Sequence, residues 1–255
     1  MNPPSENAIE FTRVEFLARD SQPILHDLSF SVTRGEVLML LGRSGSGKTT
    51  TLRLINRLEI PTHGEVYVES KATSEWDPIR LRRGIGYAIQ EVGLFPHYTV
   101  EKNVALIPSL EGWDRKKTQA RVKEVLRLVG LPDSNISQRY PDQLSGGQRQ
   151  RVGLARALGA DPPILLMDEP FGALDPLSRL QLQQEFRDLQ KRLCKTVVFV
   201  THDVGEALML GDRIALMESG SLRGIFTPKE FLESNEEVVK AYVNAFRAAQ
   251  SVFKG

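Results

Sequence analysis

The sequence contains little cysteine, little tryptophan and no excess of charge of either sign. A single cysteine, Cys194, occurs among 255 residues, which excludes an internal disulfide and a metal site built from cysteines alone, and this usage is natural for the cytosol. Lys and Arg number 33 against 32 for Asp and Glu. This balance does not indicate a broad basic face, so we expect no nucleic-acid partner.

Long hydrophobic runs are absent as well. No apolar run approaches the roughly 20 residues that cross a bilayer, and residues 1–10 lack the basic patch and apolar stretch of a secretion signal. If the protein works at a membrane, we therefore expect other chains to cross it. The composition is ordinary for a globular protein, with 41% hydrophobic and 25% charged residues. Its length allows one large domain or two small lobes.

A glycine-rich stretch lies between an apolar run at 37–41 and a helical pattern at 50–55. This order of strand, loop and helix is typical of a phosphate-binding loop, whose backbone N–H groups face inward at a helix N-terminus. Lys48 would supply a charge to the β- and γ-phosphates, and Thr49 a hydroxyl to Mg²⁺. A chance glycine-rich turn is the alternative. The predicted nucleotide-binding residues are Gly42, Arg43, Ser44, Gly45, Ser46, Gly47, Lys48, Thr49 and Thr50.

Two acids follow another apolar run, at 164–167. Asp168, at the end of this predicted strand, would hold Mg²⁺, and Glu169 would accept a proton from an attacking water or align it. Alone, such a pair is usually a solvated strand end. In a chain that also carries a phosphate-binding loop, it predicts a nucleotide-hydrolysing site.

A rarer motif, Leu-Ser-Gly-Gly-Gln, occupies 144–148 and precedes a helical stretch. It offers a second helix N-terminus with bare N–H groups and a serine hydroxyl. This predicts a second phosphate contact, at Ser145, Gly146, Gly147 and Gln148. The alternative is an ordinary cap, in which Ser145 is bonded to its own helix.

Apolar runs alternate with helical patterns along most of the chain. Alternation of apolar and polar residues predicts half-buried antiparallel strands at 9–14, 28–32 and 64–68. Continuous apolar runs predict strands covered on both faces at 37–41, 85–89, 164–167, 196–200 and 214–217. Between 99 and 159 the strand signals stop. A helix is predicted from Leu177 to Leu193, capped by Asp175, and a C-terminal helical stripe would pack onto its own lobe or form a dimer contact. We predict an α/β fold with a mainly parallel sheet, an antiparallel side piece and a helical insertion.

Together, 42–49, 144–148 and 164–169 resemble the ATP-binding subunits of ABC transporters, over nearly the whole chain. The resemblance implies a P-loop NTPase core, ATP and Mg²⁺ as cofactors, and ATP hydrolysis coupled to transport. It further implies that Gln90 contacts Mg²⁺ and the attacking water, that His202 reaches the γ-phosphate, and that the loop ending at Asp175 connects two ATP sites. The implied catalytic residues are Lys48, Gln90, Glu169 and His202, and the implied metal ligands are Thr49, Gln90 and Asp168.

The same resemblance implies an assembly. A second copy of the chain, or a paralogous ATPase, would complete each ATP site with its own 144–148 motif, and transmembrane permease subunits would hold the pair at the cytoplasmic face of the cell membrane as a peripheral protein. A substrate-binding protein would act indirectly. The implied organisation is a single ABC ATPase domain over 1–255. Its parts would be an ATPase core at about 1–95 and 160–226, a helical subdomain at about 96–159 and a helical tail at about 227–255.

A narrower resemblance lies in 87–97, 110–114 and 161–167, which are similar to importers of quaternary amines, the glycine betaine, choline and carnitine class of osmoprotectants. The resemblance therefore favours import of such a solute. An importer of amino acids or another small polar solute is the first alternative, and a soluble ABC ATPase outside transport is the second. Many members of this class carry C-terminal regulatory modules, which we do not expect here because the sequence ends at Gly255.

The chain departs from the family at the position that usually stacks on adenine. Alignment on the phosphate-binding loop puts Ala18 there, and alanine has no ring to stack. Phe16 would replace it if the loop is shifted, or the second chain would contribute a residue.

Overall fold

The structure is a computed structural model that describes residues 6–18, 20–89, 93–132 and 135–251. Gln90, for which we predict a catalytic role, lies outside these residues. The strands are β1 (Asn7–Leu17), β2 (Pro23–Thr33), β3 (Val37–Leu41), β4 (His63–Val68), β5 (Lys71–Ala72), β6 (Ile85–Ala88), β7 (Ile164–Asp168), β8 (Thr196–Thr201), β9 (Arg213–Glu218) and β10 (Ser221–Phe226). The α-helices are α1 (Lys48–Ile55), α2 (Pro78–Arg83), α3 (Val100–Val104), α4 (Leu106–Leu110), α5 (Arg115–Leu128), α6 (Gly146–Leu158), α7 (Pro176–Leu193), α8 (Val204–Leu210), α9 (Pro228–Glu233) and α10 (Glu237–Ser251).

The described residues form two compact units. The first is made of Met1–Trp76 and Thr196–Gly255, and the second of Asp77–Lys195. The chain therefore enters the second unit after β5 and returns to the first at β8. The subdomain boundaries implied by the resemblance are not tested by this division and stay a prediction.

In the first unit, an antiparallel sheet has the strand order β2-β1-β4-β5. Alternate residues of β1 are buried, among them Ile9 and Phe11, as the apolar and polar alternation predicts. The Phe11 ring stacks on Phe30 of β2, with centroids 4.5 Å apart. One face of this sheet thus supplies a hydrophobic layer.

The buried strand β3 lies between β8 and β9, parallel to both, and β10 pairs antiparallel with β9. Every residue of β3 and β8 is buried, which explains why both are apolar nearly throughout. Leu41, the last residue of β3, pairs with Thr201, the last of β8. The segments that follow these two strands therefore begin at the same edge of the sheet.

The C-terminal helix α10 packs on α8 and α9 of the same unit. Val239 and Val243, which lie on its predicted apolar stripe, are buried. Of the two predicted alternatives for this stripe, packing onto its own lobe is the one that the structure contains.

In the second unit, β6 and β7 pair in parallel, and the described residues between 96 and 159 contain helices but no strand. Arg121 of α5 anchors this helical stretch. Its guanidinium donates to the carbonyl oxygen of Leu158 and forms ion pairs with Glu124 and Asp161.

The longest helix of the second unit, α7, begins where the sequence predicts. The Asp175 carboxylate caps it by accepting from the N–H of Ser178, and Pro176 occupies its first position. The helix ends at Cys194, which is exposed and lies in the left-handed region with φ of 48°. Leu182, Phe186 and Leu189 form its buried stripe.

The predicted α/β fold, with its antiparallel side piece and inserted helices, is confirmed. The sequence does not predict strand β10, because Arg223 and Gly224 interrupt the alternation of apolar and polar residues in Ser-Leu-Arg-Gly-Ile-Phe. Over the residues that the structure describes, none of the helices combines the length and the apolar character that crossing a membrane requires.

Candidate nucleotide site

The glycine-rich stretch forms the connection between β3 and α1. Gly45 and Gly47 have φ of 80° and 95°, which side-chain-bearing residues rarely adopt. A Cβ on Gly47 would lie 2.5 Å from Cδ2 of Leu25, and one on Gly42 would lie 2.3 Å from the carbonyl oxygen of Met217. Conformation therefore requires glycine at 45, space requires it at 42, and both require it at 47.

The N-terminus of α1 is arranged to receive an anion. Among the described residues no side chain caps it at Gly47, and its first turn contains no acid. The Oγ of Ser46 is buried and has no hydrogen-bond partner in the described part of the chain. A helix N-terminus that no described side chain caps, with a hydroxyl beside it, fits a phosphate group.

Lys48 lies within this loop rather than in solvent. Its side chain is buried, and Nζ donates to the carbonyl oxygens of Gly42 and Arg43, both at 2.8 Å. Arg43 and Ser44 are exposed, whereas Thr49 and Thr50 are half-buried in the first turn of α1. The ammonium is thus held against the glycine-rich loop by the carbonyl oxygens of that loop.

His202 follows β8 directly and is exposed. Because Leu41 and Thr201 are register partners, His202 and Gly42 are the next residues of two adjacent parallel strands. The Thr201 hydroxyl accepts from the N–H of Asp203, and the Asp203 carboxylate caps α8. His202 is consequently fixed between a strand end and a helix cap, at the edge where the glycine loop begins.

The two predicted acidic residues lie at the C-terminal end of β7, in the second unit. Asp168 is buried, and its Oδ2 lies 3.5 Å from the hydroxyl of Tyr87 on the adjacent strand β6. Glu169 is half-buried, and its backbone is in the left-handed region with φ of 44°. A residue other than glycine rarely has this conformation, and it occurs often at functional sites. No pattern in the sequence indicates it.

A short loop connects Glu169 to α7. The N–H of Gly172 donates to the carbonyl oxygen of Glu169 at 3.1 Å. Hydrogen bonds from the N–H and side chain of Ser178 hold the pKa of Asp175 below its ordinary value. Asp175 therefore caps α7, which was one of the two roles that its sequence position allows.

The 144–148 motif forms the N-terminus of α6. Ser145 Oγ accepts from the N–H of Gln148 at 3.2 Å, and Gln148 Oε1 accepts from the N–H of Ser145 at 3.0 Å. This capping box is the alternative role of Ser145. A Cβ on Gly146 or Gly147 would meet no described atom within 4 Å, so the packing of this chain does not account for the two glycines.

Phe16 does not offer a ring to adenine. The side chain is 9% exposed and pairs with Leu25 in the β1–β2 ladder, so the ring belongs to the hydrophobic layer of the antiparallel sheet. Ala18, which follows β1, has no ring. The residue that would stack on adenine is therefore not supplied by either predicted position.

Comparison with known proteins gives a consistent family. Residues 25–172 match the ABC transporter family model. The chain is 46% identical over 226 residues to the carnitine transport ATP-binding protein of Listeria monocytogenes, covering 89% of this chain and 57% of the relative. It is 43% identical over 244 residues to the glycine betaine/carnitine/choline transport ATP-binding protein of Bacillus subtilis, covering 95% of this chain and 64% of the relative.

Solved structures agree with this. A dimeric bacterial ABC transporter cassette has a TM-score of 0.78 and 34% identity, covering 86% of this chain and 98% of that one. A dimeric ATP-binding cassette in a post-hydrolysis state, with ADP and Pi bound, has a TM-score of 0.77 and 33% identity, with the same coverage. The chain spans only about three-fifths of the length of the curated relatives named above. The resemblance to ATP-binding subunits of quaternary-amine importers is confirmed, and the chain belongs to the ABC transporter family.

Proposed function

We propose that the chain is the ATP-hydrolysing subunit of an ABC importer for glycine betaine or a related quaternary amine. The observation that carries the proposal is the shared sheet edge at Leu41 and Thr201, from which the glycine loop and His202 both begin. Relatives more than 40% identical over most of this chain are ATP-binding proteins of carnitine, choline and glycine betaine transport. Their names support the choice of solute.

ATP would bind with its phosphates in the loop from Gly42 to Thr50. Among the described residues, no side chain caps this helix N-terminus and no group bonds the Ser46 hydroxyl, so both suit negatively charged oxygens, as does the Lys48 ammonium. Thr49 and Asp168, with Gln90, would hold Mg²⁺, which prefers oxygen ligands and commonly takes only one or two carboxylates when phosphates supply the rest. Within the described residues no three His, Cys, Asp or Glu side chains form a metal cluster, so a phosphate-assisted site of this kind is the one that fits.

The reaction would be phosphoryl transfer to water, for which positioning and charge neutralisation are the main requirements. Lys48 and the loop N–H groups would neutralise charge on the phosphates, and bound Mg²⁺ would supply further neutralisation. Glu169 would align the water and accept its proton, while His202 would contact the γ-phosphate. Gln90 would contact the same water.

A second copy of the chain, or a paralogous ATPase, would complete each site with Ser145, Gly146, Gly147 and Gln148. The open space around the two glycines supports this role, because a side chain there would meet no atom of the described residues, which leaves room for a group from a second chain. Both solved cassettes reported above are dimeric. The loop ending at Asp175 would then lie at the contact between two ATP sites.

Transmembrane permease subunits would hold the pair at the cytoplasmic face of the membrane, and a substrate-binding protein would deliver the solute to them. We expect no direct contact between the solute and this chain. A quaternary ammonium is selected by open aromatic faces, yet Lys71 Nζ lies 5.0 Å from the Trp76 ring centroid and Lys117 Nζ lies 3.9 Å from that of Trp113. A lysine ammonium therefore already lies over the ring of each tryptophan.

The test is ATPase activity of the chain reconstituted with its permease and binding protein. Glycine betaine, choline and carnitine should stimulate hydrolysis, whereas amino acids and sugars should not. Stimulation only by another solute class would overturn the quaternary-amine assignment and leave the transport ATPase. If neither the solutes nor the permease changes the rate of ATP hydrolysis, the result would favour a soluble ABC ATPase instead. Calorimetric titration of glycine betaine into the isolated chain should give no heat of binding.

A further inference from the structure

The loop between Glu169 and α7 is held in its middle by one guanidinium. Nη2 of Arg179 donates to the carbonyl oxygen of Gly172 at 3.3 Å and to that of Leu174 at 3.2 Å. Both acceptors are main-chain atoms, and a planar, always charged guanidinium forms such paired contacts with little freedom. The contact therefore fixes the course of the loop itself.

The backbone conformation of Glu169 depends on the course of this loop. Its left-handed backbone, with φ of 44°, is strained for a residue with a side chain and persists only where its surroundings impose it. The N–H of Gly172 closes the turn onto the Glu169 carbonyl oxygen, and a Cβ on Gly172 would lie 3.8 Å from Glu169 Oε2. Gly172 thus donates a hydrogen bond to Glu169 through its N–H and accepts one from Arg179 through its carbonyl oxygen.

The rest of the loop has anchors of other kinds. The Phe171 ring is buried, with its centroid 6.2 Å from that of Phe186 on α7, and Asp175 caps the same helix. The Arg179 guanidinium supplies a hydrogen bond to the exposed part of the loop, at Gly172. Loss of the guanidinium would remove this anchor and leave the contacts at the two ends of the loop in place.

Stability alone does not explain Arg179. Its Nε–H is buried and has no hydrogen-bond partner within the described residues. A buried donor without an acceptor destabilises the folded state, and such groups in native proteins are few. An apolar side chain of similar length would avoid this cost.

We propose that Arg179 is a positioning residue for ATP hydrolysis. It holds Gly172 and Leu174 so that the strained Glu169 backbone keeps its carboxylate in place for the attacking water. The inference rests on the proposed function, because it takes Glu169 as the residue that aligns this water. In this role Arg179 acts through its contacts with Gly172 and Leu174.

The test compares Arg179→Met with Arg187→Met in the full chain. Arg187 lies on the same helix and is exposed, so it controls for loss of a charge on α7. In Arg179→Met, kcat for ATP should fall about ten- to a hundredfold, the size expected when a reacting group is slightly misplaced. The Kd for ATP should stay within about twofold, because the phosphate loop is untouched. The unfolding midpoint should stay within about 2 °C, because the loss of the two hydrogen bonds is offset by removal of the buried donor that has no acceptor among the described residues. Arg187→Met should match the wild type in kcat, in the Kd for ATP and in the unfolding midpoint.

A second measurement follows the loop directly. Amide hydrogen exchange at Gly172 and Leu174 should become faster in Arg179→Met and stay unchanged in Arg187→Met. Arg179→Lys, which keeps a positively charged donor group, should recover part of kcat. Wild-type kcat in Arg179→Met, or a loss of kcat matched by an equal loss of ATP affinity or of stability, would overturn the inference. If the wild type does not hydrolyse ATP, or if Glu169→Gln hydrolyses normally, the proposed function fails and the inference with it.

Discussion

Lys48 Nζ lies 2.8 Å from the carbonyl oxygen of Gly42, the residue at which the phosphate-binding loop begins. The ammonium is therefore held at the loop by carbonyl oxygens of the protein itself, and little side-chain ordering remains to be done when a nucleotide binds. One charge-assisted hydrogen bond contributes about 1.5–3 kcal/mol. We predict that Lys48→Ala weakens ATP binding by about tenfold to a hundredfold and ends turnover.

Fluorescent-nucleotide titration and a phosphate-release assay measure these two effects. Lys240→Ala, which removes an exposed lysine from α10, is the matched control and should behave as the wild type. Unchanged ATPase activity in Lys48→Ala would contradict the assignment of the loop.

Glu169→Gln keeps the shape of the side chain and loses its ability to accept a proton. We predict that this variant binds ATP without hydrolysing it and therefore accumulates as a dimer with ATP, returning to monomer with ADP. Size-exclusion chromatography in the two nucleotides measures the change. A variant that stays monomeric in ATP would argue against a site shared by two chains, and normal hydrolysis would argue against Glu169.

Ser145 combines a cap with a predicted contact across the dimer, and the two roles separate by comparison with Thr227. Thr227 caps α9 with the same box, since its Oγ1 accepts from the N–H of Glu230 while Glu230 Oε2 accepts from the N–H of Thr227. Both Ser145→Ala and Thr227→Ala should lower the unfolding free energy by about 1 kcal/mol. Chemical denaturation measures this loss.

Only Ser145→Ala should also lower ATPase activity, by about tenfold, if its hydroxyl donates one hydrogen bond to phosphate. Equal activity in the two variants would leave Ser145 as a helix cap and nothing more.

Arg151 and Glu185 connect α6 to α7 by a bidentate ion pair. The hydrogen bonds from Arg151 hold the pKa of Glu185 below its ordinary value. Because the folded pKa is the lower one, the pair stabilises the protein above the ordinary value of about 4.3, and this contribution is lost as pH falls through the folded pKa. We predict that Glu185→Gln costs a constant amount of unfolding free energy near neutral pH and progressively less below about pH 4.

Denaturation midpoints measured across this pH range give the comparison. Arg151→Gln should remove the same acid dependence, since the shift arises from the pair. An acid dependence that neither substitution reduces would contradict the assignment.

The parts of the site that the sequence predicts are those with a local pattern. An apolar strand, glycines and a helix start define the loop at 42–49 without reference to the rest of the chain, and Asp175 before Pro176 defines the start of α7 in the same way. The strand ends at Leu41 and Thr201 are predictable separately. Their pairing is not, because register between strands more than 150 residues apart depends on the whole sheet.

Other features have no sequence signal at all. The left-handed backbone of Glu169 begins a turn in which the N–H of Gly172 donates to the Glu169 carbonyl oxygen and the Gly172 carbonyl oxygen accepts from Arg179. No pattern of residue types marks this turn. Phe16 was a candidate for adenine because it is aromatic and near the right position, yet its ring is buried in the sheet. An aromatic residue in an alternating strand is placed by the face on which it falls, and the β1–β2 ladder contains register shifts around this residue.

The cysteine at the end of α7 has a practical consequence. Cys194 is exposed, and no other thiol occurs in the sequence, so a thiol-reactive fluorophore would label each chain at a single defined point without any substitution. Donor-labelled and acceptor-labelled chains mixed in ATP would report association as energy transfer, in real time and at concentrations far below those of chromatography. The native sequence thus already carries the label site for timing how two chains meet and part during each cycle of hydrolysis.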